Sequence, residues 1–185
     1  MSKNRKAARQ PLRTTVLCAF LVALSIVCGK FLQIPVGDVL RFSFENLPIL
    51  FAGLLFGPVA GGMVGGVADL IGCLLVGYAI NPLVTLGAVS VGVAAGVGGL
   101  LFSRLPLAWR VSITVLAAHL IGSVTIKTVG LLQFYPMPFW VLFGWRALNY
   151  ALVGGAECIL LCLLLGHAGI RRMAEQGVGR KGESA

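Results

Sequence analysis

Arg146, Asn149, Tyr150, Val153 and Glu157 recur at i, i+3, i+4, i+7 and i+11, the spacing that gathers side chains on one face of a 3.6-residue helix. An arginine on such a face can grip a carboxylate through two parallel N–H donors, and an asparagine both donates and accepts. Helical rise puts Arg146 and Asn149 toward one end of the segment and Glu157 about 16 Å deeper. His119, Ser123 and Lys127 follow one another at i, i+4 and i+8 on another segment, with Lys127 toward the same end. Lys30, Arg41, Ser43 and Glu45 come from the first part of the chain. A lysine or arginine at the centre of a membrane helix costs roughly 2.5–3.5 kcal/mol, less near the interface. Four cations kept in or beside apolar segments, Lys30, Arg41, Lys127 and Arg146, therefore read as an anion-binding site, with only Asp38 and Glu45 as acidic neighbours at that end. The ligand expected there carries carboxylates or phosphates, with Arg146 binding bidentately and the lysines acting as point charges.

Each of these residues also has a structural role open to it. Lys30 lies within about a turn of a helix end and can snorkel to the interface. Arg146, beside Trp140 and Trp145, can anchor at the level of the aromatic belt. Asp69 and Glu157 can serve as partners of buried donors, and His119 as a satisfied core histidine. Tyr78 reads equally as an interface residue and as an aromatic of the site.

The elements that must hold these groups are membrane helices. Hydrophobic residues make up 58% of the 185, charged residues 11%, and the mean hydropathy is +0.95, too apolar for a soluble domain. The net charge of +9 borders apolar runs without forming a basic face, so no nucleic-acid partner is expected. Runs of about 20 apolar residues, cut at Gly57-Pro58, Asn81-Pro82 and the basic loop Ser103–Arg110, predict six helices: Thr15–Leu32, Glu45–Phe56, Pro58–Gly77, Pro82–Phe102, Val111–Leu132 and Phe139–Gly166. The second is short enough to be a re-entrant half-helix. The fold class expected is all-α, a six-transmembrane-helix bundle in a single membrane domain, with residues 1–13 and 169–185 as tails around a bundle over 14–168. Six crossings put eleven of the fifteen Lys and Arg on one side, so the positive-inside rule places both termini in the cytoplasm and the loops after helices one, three and five outside. The basic start followed by Val16–Gly29 copies a secretory signal without a cleavage site, and is read as a mature helix.

The five cysteines lie in apolar segments with no C-x-x-C pair, and no His or carboxylate stands at ligand spacing beside them, so neither metal nor cofactor is expected. No P-loop, H-E-x-x-H or G-x-S-x-G occurs, so the chain is expected to have no ATPase or hydrolase activity of its own. Two other readings remain. A small membrane enzyme acting on a phosphate-bearing lipid would use the cations but would want paired carboxylates, and an assembly protein would use the glycine-rich faces and bind no small ligand.

The run Arg41-Phe-Ser-Phe-Glu-Asn-Leu-Pro-Ile-Leu-Phe-Ala-Gly-Leu-Leu-Phe-Gly-Pro-Val-Ala-Gly-Gly, then Val67-Ala-Asp-Leu-Ile-Gly and Tyr78-Ala-Ile-Asn-Pro-Leu-Val-Thr-Leu-Gly, resembles the substrate-binding S components of energy-coupling factor (ECF) vitamin transporters, most of all their folate subgroup. The resemblance covers about residues 15 to 168. It implies six helices, a vitamin site in the outward half, and covering loops after helices one, three and five. It also implies that Ala19 and Ala23 dock on a transmembrane scaffold subunit driven by two ATPase subunits, and that the S component topples in the bilayer with its vitamin. A folate-like vitamin fits the charge pattern. Its two carboxylates suit Lys30, Arg41, Lys127 or Arg146, with Arg146 and Lys127 foremost. Its pterin offers a flat ring to Tyr78 or Phe44 and donors to Asp69, Glu45 or Asn149. Thiamine is cationic and repelled. Pantothenate, biotin or a queuosine precursor are the alternative ligands.

Overall fold

The computed structural model describes residues 2–36, 40–132 and 138–167, with side chains from Leu12 onward except at positions 35, 36, 40 and 41. Helix α1 runs Ser2–Ile26 and continues as a π-helical turn, Val27–Phe31. The strands β1 (Ile34–Val36) and β2 (Leu40–Phe42) follow. Then come α2 (Asn46–Phe56), α3 (Pro58–Val76), α4 (Pro82–Leu101), α5 (Leu107–Leu131) and α6 (Phe139–Gly166). All six expected helices are present.

Three boundaries differ from the sequence reading. The stretch read as an N-terminal tail is helical from Ser2. The fifth helix starts at Leu107, directly after Pro106 in an extended conformation, so Arg110 lies on the helix and the basic loop is shorter. The loop after α1 is an antiparallel hairpin pairing Ile34 with Phe42 and Val36 with Leu40, the one β element of an otherwise helical bundle among the described residues.

The breaks occur where backbone chemistry demands them. Gly57 (φ 91°) and Gly77 (φ 74°) adopt positive φ, which only glycine takes without strain. Pro58 and Pro82 then open α3 and α4, where the missing N–H has no partner to lose. The Asn81 Oδ1 accepts from the Leu83 N–H at 2.9 Å, capping α4. Its Nδ2 donates to the Gly130 carbonyl at 2.8 Å and so ties α4 to the end of α5.

The core is built on backbone contact among α2, α3 and α4. A Cβ at Gly92 would overlap the Gly61 carbonyl, and one at Gly96 would overlap Pro58; small residues let helices approach this closely in lipid. Leu50, Val91, Val111 and Leu161 are fully buried around that contact. Gly92→Val is expected to push α3 from α4 and cost about 1–3 kcal/mol by overpacking, read as a lower thermal midpoint in detergent. An unchanged midpoint would show that these backbones do not touch.

Five helices have the length and apolarity to cross a membrane. Helix α2, with 11 residues, spans about 16 Å. Its first residue, Asn46, donates to the Ser123 Oγ at 3.4 Å, part-way along α5. The space beyond the N-terminus of α2 is therefore not filled by helix, and a cavity that Glu45 helps to line lies there.

Candidate functional site

The cavity has a volume of about 440 Å³, within the range of small-molecule sites. Seven of the eight residues expected to bind substrate line it: Lys30, Glu45, Asp69, Tyr78, Lys127, Arg146 and Asn149. Arg41, the eighth, sits on β2 opposite Pro35, and its side chain lies outside the described residues, as does Asp38.

Each cation is held differently. The Lys30 side chain lies across Gly72, where a Cβ would stand 2.9 Å from its Cε, and its Nζ is 5.5 Å from the centroid of the Tyr78 ring. Lys30 thus turns inward along α3 instead of snorkelling. Lys127 is buried, and its Nζ donates to the Glu45 Oε1 at 2.8 Å. Arg146 donates through Nε to the Thr128 Oγ1 at 2.9 Å and through Nη2 to the Ser123 carbonyl at 2.8 Å. Its guanidinium lies 5.4 Å from the centre of the Tyr150 ring, within cation–π range.

The Ser123 carbonyl sits in a π-helical stretch of α5, His119–Ile126. Such stretches displace the α-helical ladder and occur often at functional sites. Here the side-chain guanidinium of α6 takes up one carbonyl of the stretch.

The carboxylates are as firmly placed. The Glu45 backbone carbonyl accepts from the Ser25 Oγ at 2.7 Å, which fixes the start of α2 against α1. Asp69 accepts from the Thr85 Oγ1 at 2.7 Å while still lining the cavity, so it combines the structural role with access to a ligand. Gln33, Cys73, Asn81 and Tyr150 also line the cavity and were not singled out as binding residues from the sequence. Cys73 stands four residues after Asp69, and Tyr150 four after Arg146, so the helical period was the available signal.

Beside the cavity lies a polar cluster enclosed in the bundle. The His119 Nε2 and Glu157 Oε2 are 2.6 Å apart, and both residues are buried. The His119 Nδ1 is 3.2 Å from the Ser123 Oγ, and its ring stacks on Tyr150 with centroids 5.0 Å apart. The histidine is thus a partnered core residue: Ser123, four residues along α5, is one partner, and the carboxylate partner comes from α6, which spacing along α5 does not show. Removing one member of a buried pair strands the other, at about 3–5 kcal/mol. His119→Ala is expected to lower the yield of folded, detergent-stable protein sharply, and His119→Ala/Glu157→Leu to restore much of it. Equal loss in both would mean that the pair contributes nothing specific.

On the outer side of α1, Ala19 and Ala23 are exposed beside Val16 and Phe20, whereas Leu21, Ser25 and Ile26 are buried. The expected docking face is therefore unoccupied by the rest of the described chain.

The family profile for the S component of ECF-type riboflavin transporters matches residues 10–168. The chain is an ECF S component. It is accordingly a multi-pass membrane protein and the substrate-binding subunit of a transporter. Over 60 residues this S component is 33% identical to the folate transporter FolT of Clostridium novyi (strain NT), a match that spans 32% of this chain and 34% of that relative. The crystal structure of FolT bound with folic acid superimposes with a TM-score of 0.66 at 23% identity, covering 80% of this chain and 90% of the other. The S component for biotin from an ECF-type ABC transporter gives 0.57 at 18% identity, covering 91% and 94%. At these identities the two structures establish the shared fold.

Proposed function

We propose that this S component captures folate or a reduced folate from outside the cell and releases it inside when coupled to a transmembrane scaffold and two ATPase subunits. The observation that carries the reading is the composition of the cavity. Three cations, Lys30, Lys127 and Arg146, two carboxylates, Glu45 and Asp69, and two tyrosines converge on one space of about 440 Å³. An anionic tail needs the first group, ring N–H donors need the second, and a flat heterocycle needs the third. The FolT relative in sequence and the FolT fold with folic acid support the same ligand. Riboflavin, the ligand in the family's description, bears no charge and would offer Lys30 and Arg146 no anionic group. Pantothenate and biotin bring one carboxylate and fewer ring donors. The eleven basic residues on one expected side support an orientation with both termini in the cytoplasm and the cavity toward the outside.

The deciding experiment is a titration of the purified protein in detergent with folic acid, 5-formyl-tetrahydrofolate, riboflavin, pantothenate, biotin and thiamine, followed through Trp109, Trp140 and Trp145 fluorescence. Saturation by the folates, with the ligand recovered chemically unchanged, is expected. Saturation by another vitamin alone would move the substrate, and turnover of the ligand would favour the enzyme reading.

A further inference from the structure

Lys127 was expected to hold a ligand carboxylate, but it already holds one of the protein's own. Its ammonium is buried and bonded to the Glu45 Oε1. The second oxygen, Oε2, lies on the side of Gly29, where a Cβ would stand 2.9 Å from it and 2.7 Å from the Glu45 Cβ. The absence of a side chain at position 29 lets the carboxylate pack this closely against the Gly29 backbone, while the Glu45 side chain keeps 27% of its surface exposed and, like Gly29, lines the cavity.

We infer that Glu45, oriented by Lys127, is the specificity-determining acceptor for the ligand's ring, reading two adjacent N–H donors such as the 2-amino-4-oxopyrimidine edge of a pterin. Lys127 is a positioning residue in this arrangement, and the ligand's carboxylates are left to Arg146 and Lys30. The inference rests on the folate reading above and deepens it.

The chemistry discriminates sharply. A carboxylate is acceptor-only, so it pairs with a ring edge that presents N3–H beside an exocyclic amino group. A 2,4-dioxo edge, as in a flavin or a lumazine, flanks its N3–H with two carbonyls and sets one of them against a carboxylate oxygen. Sites built to hydrogen-bond a given group reject the analogue that lacks it by large factors.

The test compares folic acid with its 2-deamino-2-oxo (lumazine) analogue on the full-length protein in detergent. Wild type is expected to bind folic acid at least tenfold more tightly. Glu45→Gln, whose amide both donates and accepts, should abolish that preference. Lys127→Ala should also erode it, because Glu45 loses its orientation; a Lys127 that bound the ligand tail instead would weaken both ligands by the same factor on mutation. Equal weakening of both ligands in Glu45→Gln overturns the inference and leaves the folate reading standing, whereas a wild type that binds neither ligand overturns both. If Glu45→Gln does not fold, Gly29→Ala displaces the Glu45 side chain without removing its charge, because the added Cβ would stand 2.7 Å from the Glu45 Cβ. It should penalise folic acid more than the analogue, and an equal penalty overturns the inference.

Discussion

Arg146→Ala is expected to weaken folate binding about 100-fold, or about 2.8 kcal/mol at about 1.4 kcal/mol per decade. Truncating one partner of a desolvated, hydrogen-bonded charge pair costs about 2–5 kcal/mol, and an open-mouthed cavity places the loss in the lower half of that range. Two of the arginine's nitrogens are spent on Thr128 and Ser123, which holds the guanidinium plane beside Tyr150 and presents its remaining edge. Arg146→Lys keeps the charge and loses the fork, so it should fall between wild type and alanine. Calorimetric titration avoids the disturbance of the neighbouring Trp145. A change of less than threefold in Arg146→Ala would remove this residue from the site.

Replacing Ala19 and Ala23 together by tryptophan is expected to bring folate uptake by cells carrying the full transporter to background, while the dissociation constant of the isolated protein stays within twofold. Both alanines are exposed on α1, and the residues that join α1 to the bundle lie on its other side. Small residues four apart allow another helix to approach closely in lipid, and two indoles hold it off. Retained uptake would show that the scaffold docks elsewhere. Lost binding would show that this face communicates with the cavity.

The helix ends and the cavity-facing residues were legible because both are local properties. Gly57-Pro58 and Asn81-Pro82 announce breaks by their own backbone chemistry, and the period of 3.6 put Arg146, Asn149 and Glu157 on one face, as found. Contacts between helices were not legible. Glu45 and Lys127 are 82 residues apart, and His119 and Glu157 are 38 apart, and no spacing within one segment encodes such a meeting. For that reason Lys127 read as a free cation when it is a paired one. The hairpin escaped for a different reason. Its strands are three residues each, too short for an alternation to stand out around Pro35 and Gly37. The π-helical stretch of α5 has no residue signature of its own in His119–Ile126, and it shows only in the hydrogen bonds.

The long separation between Glu45 and its partner also bears on how the protein is made. At about 5–20 residues per second, Lys127 leaves the ribosome about 4 to 16 s after Glu45, and Arg146 about 5 to 20 s after it. Throughout that interval a nascent chain holds Glu45 without its ammonium and Asp69 without the cations across the cavity. The cavity is therefore complete only when the last helix has joined the others, because Arg146, Asn149 and Tyr150 of α6 line it, and a chain released early, lacking α6, would be left with a half-built polar interior.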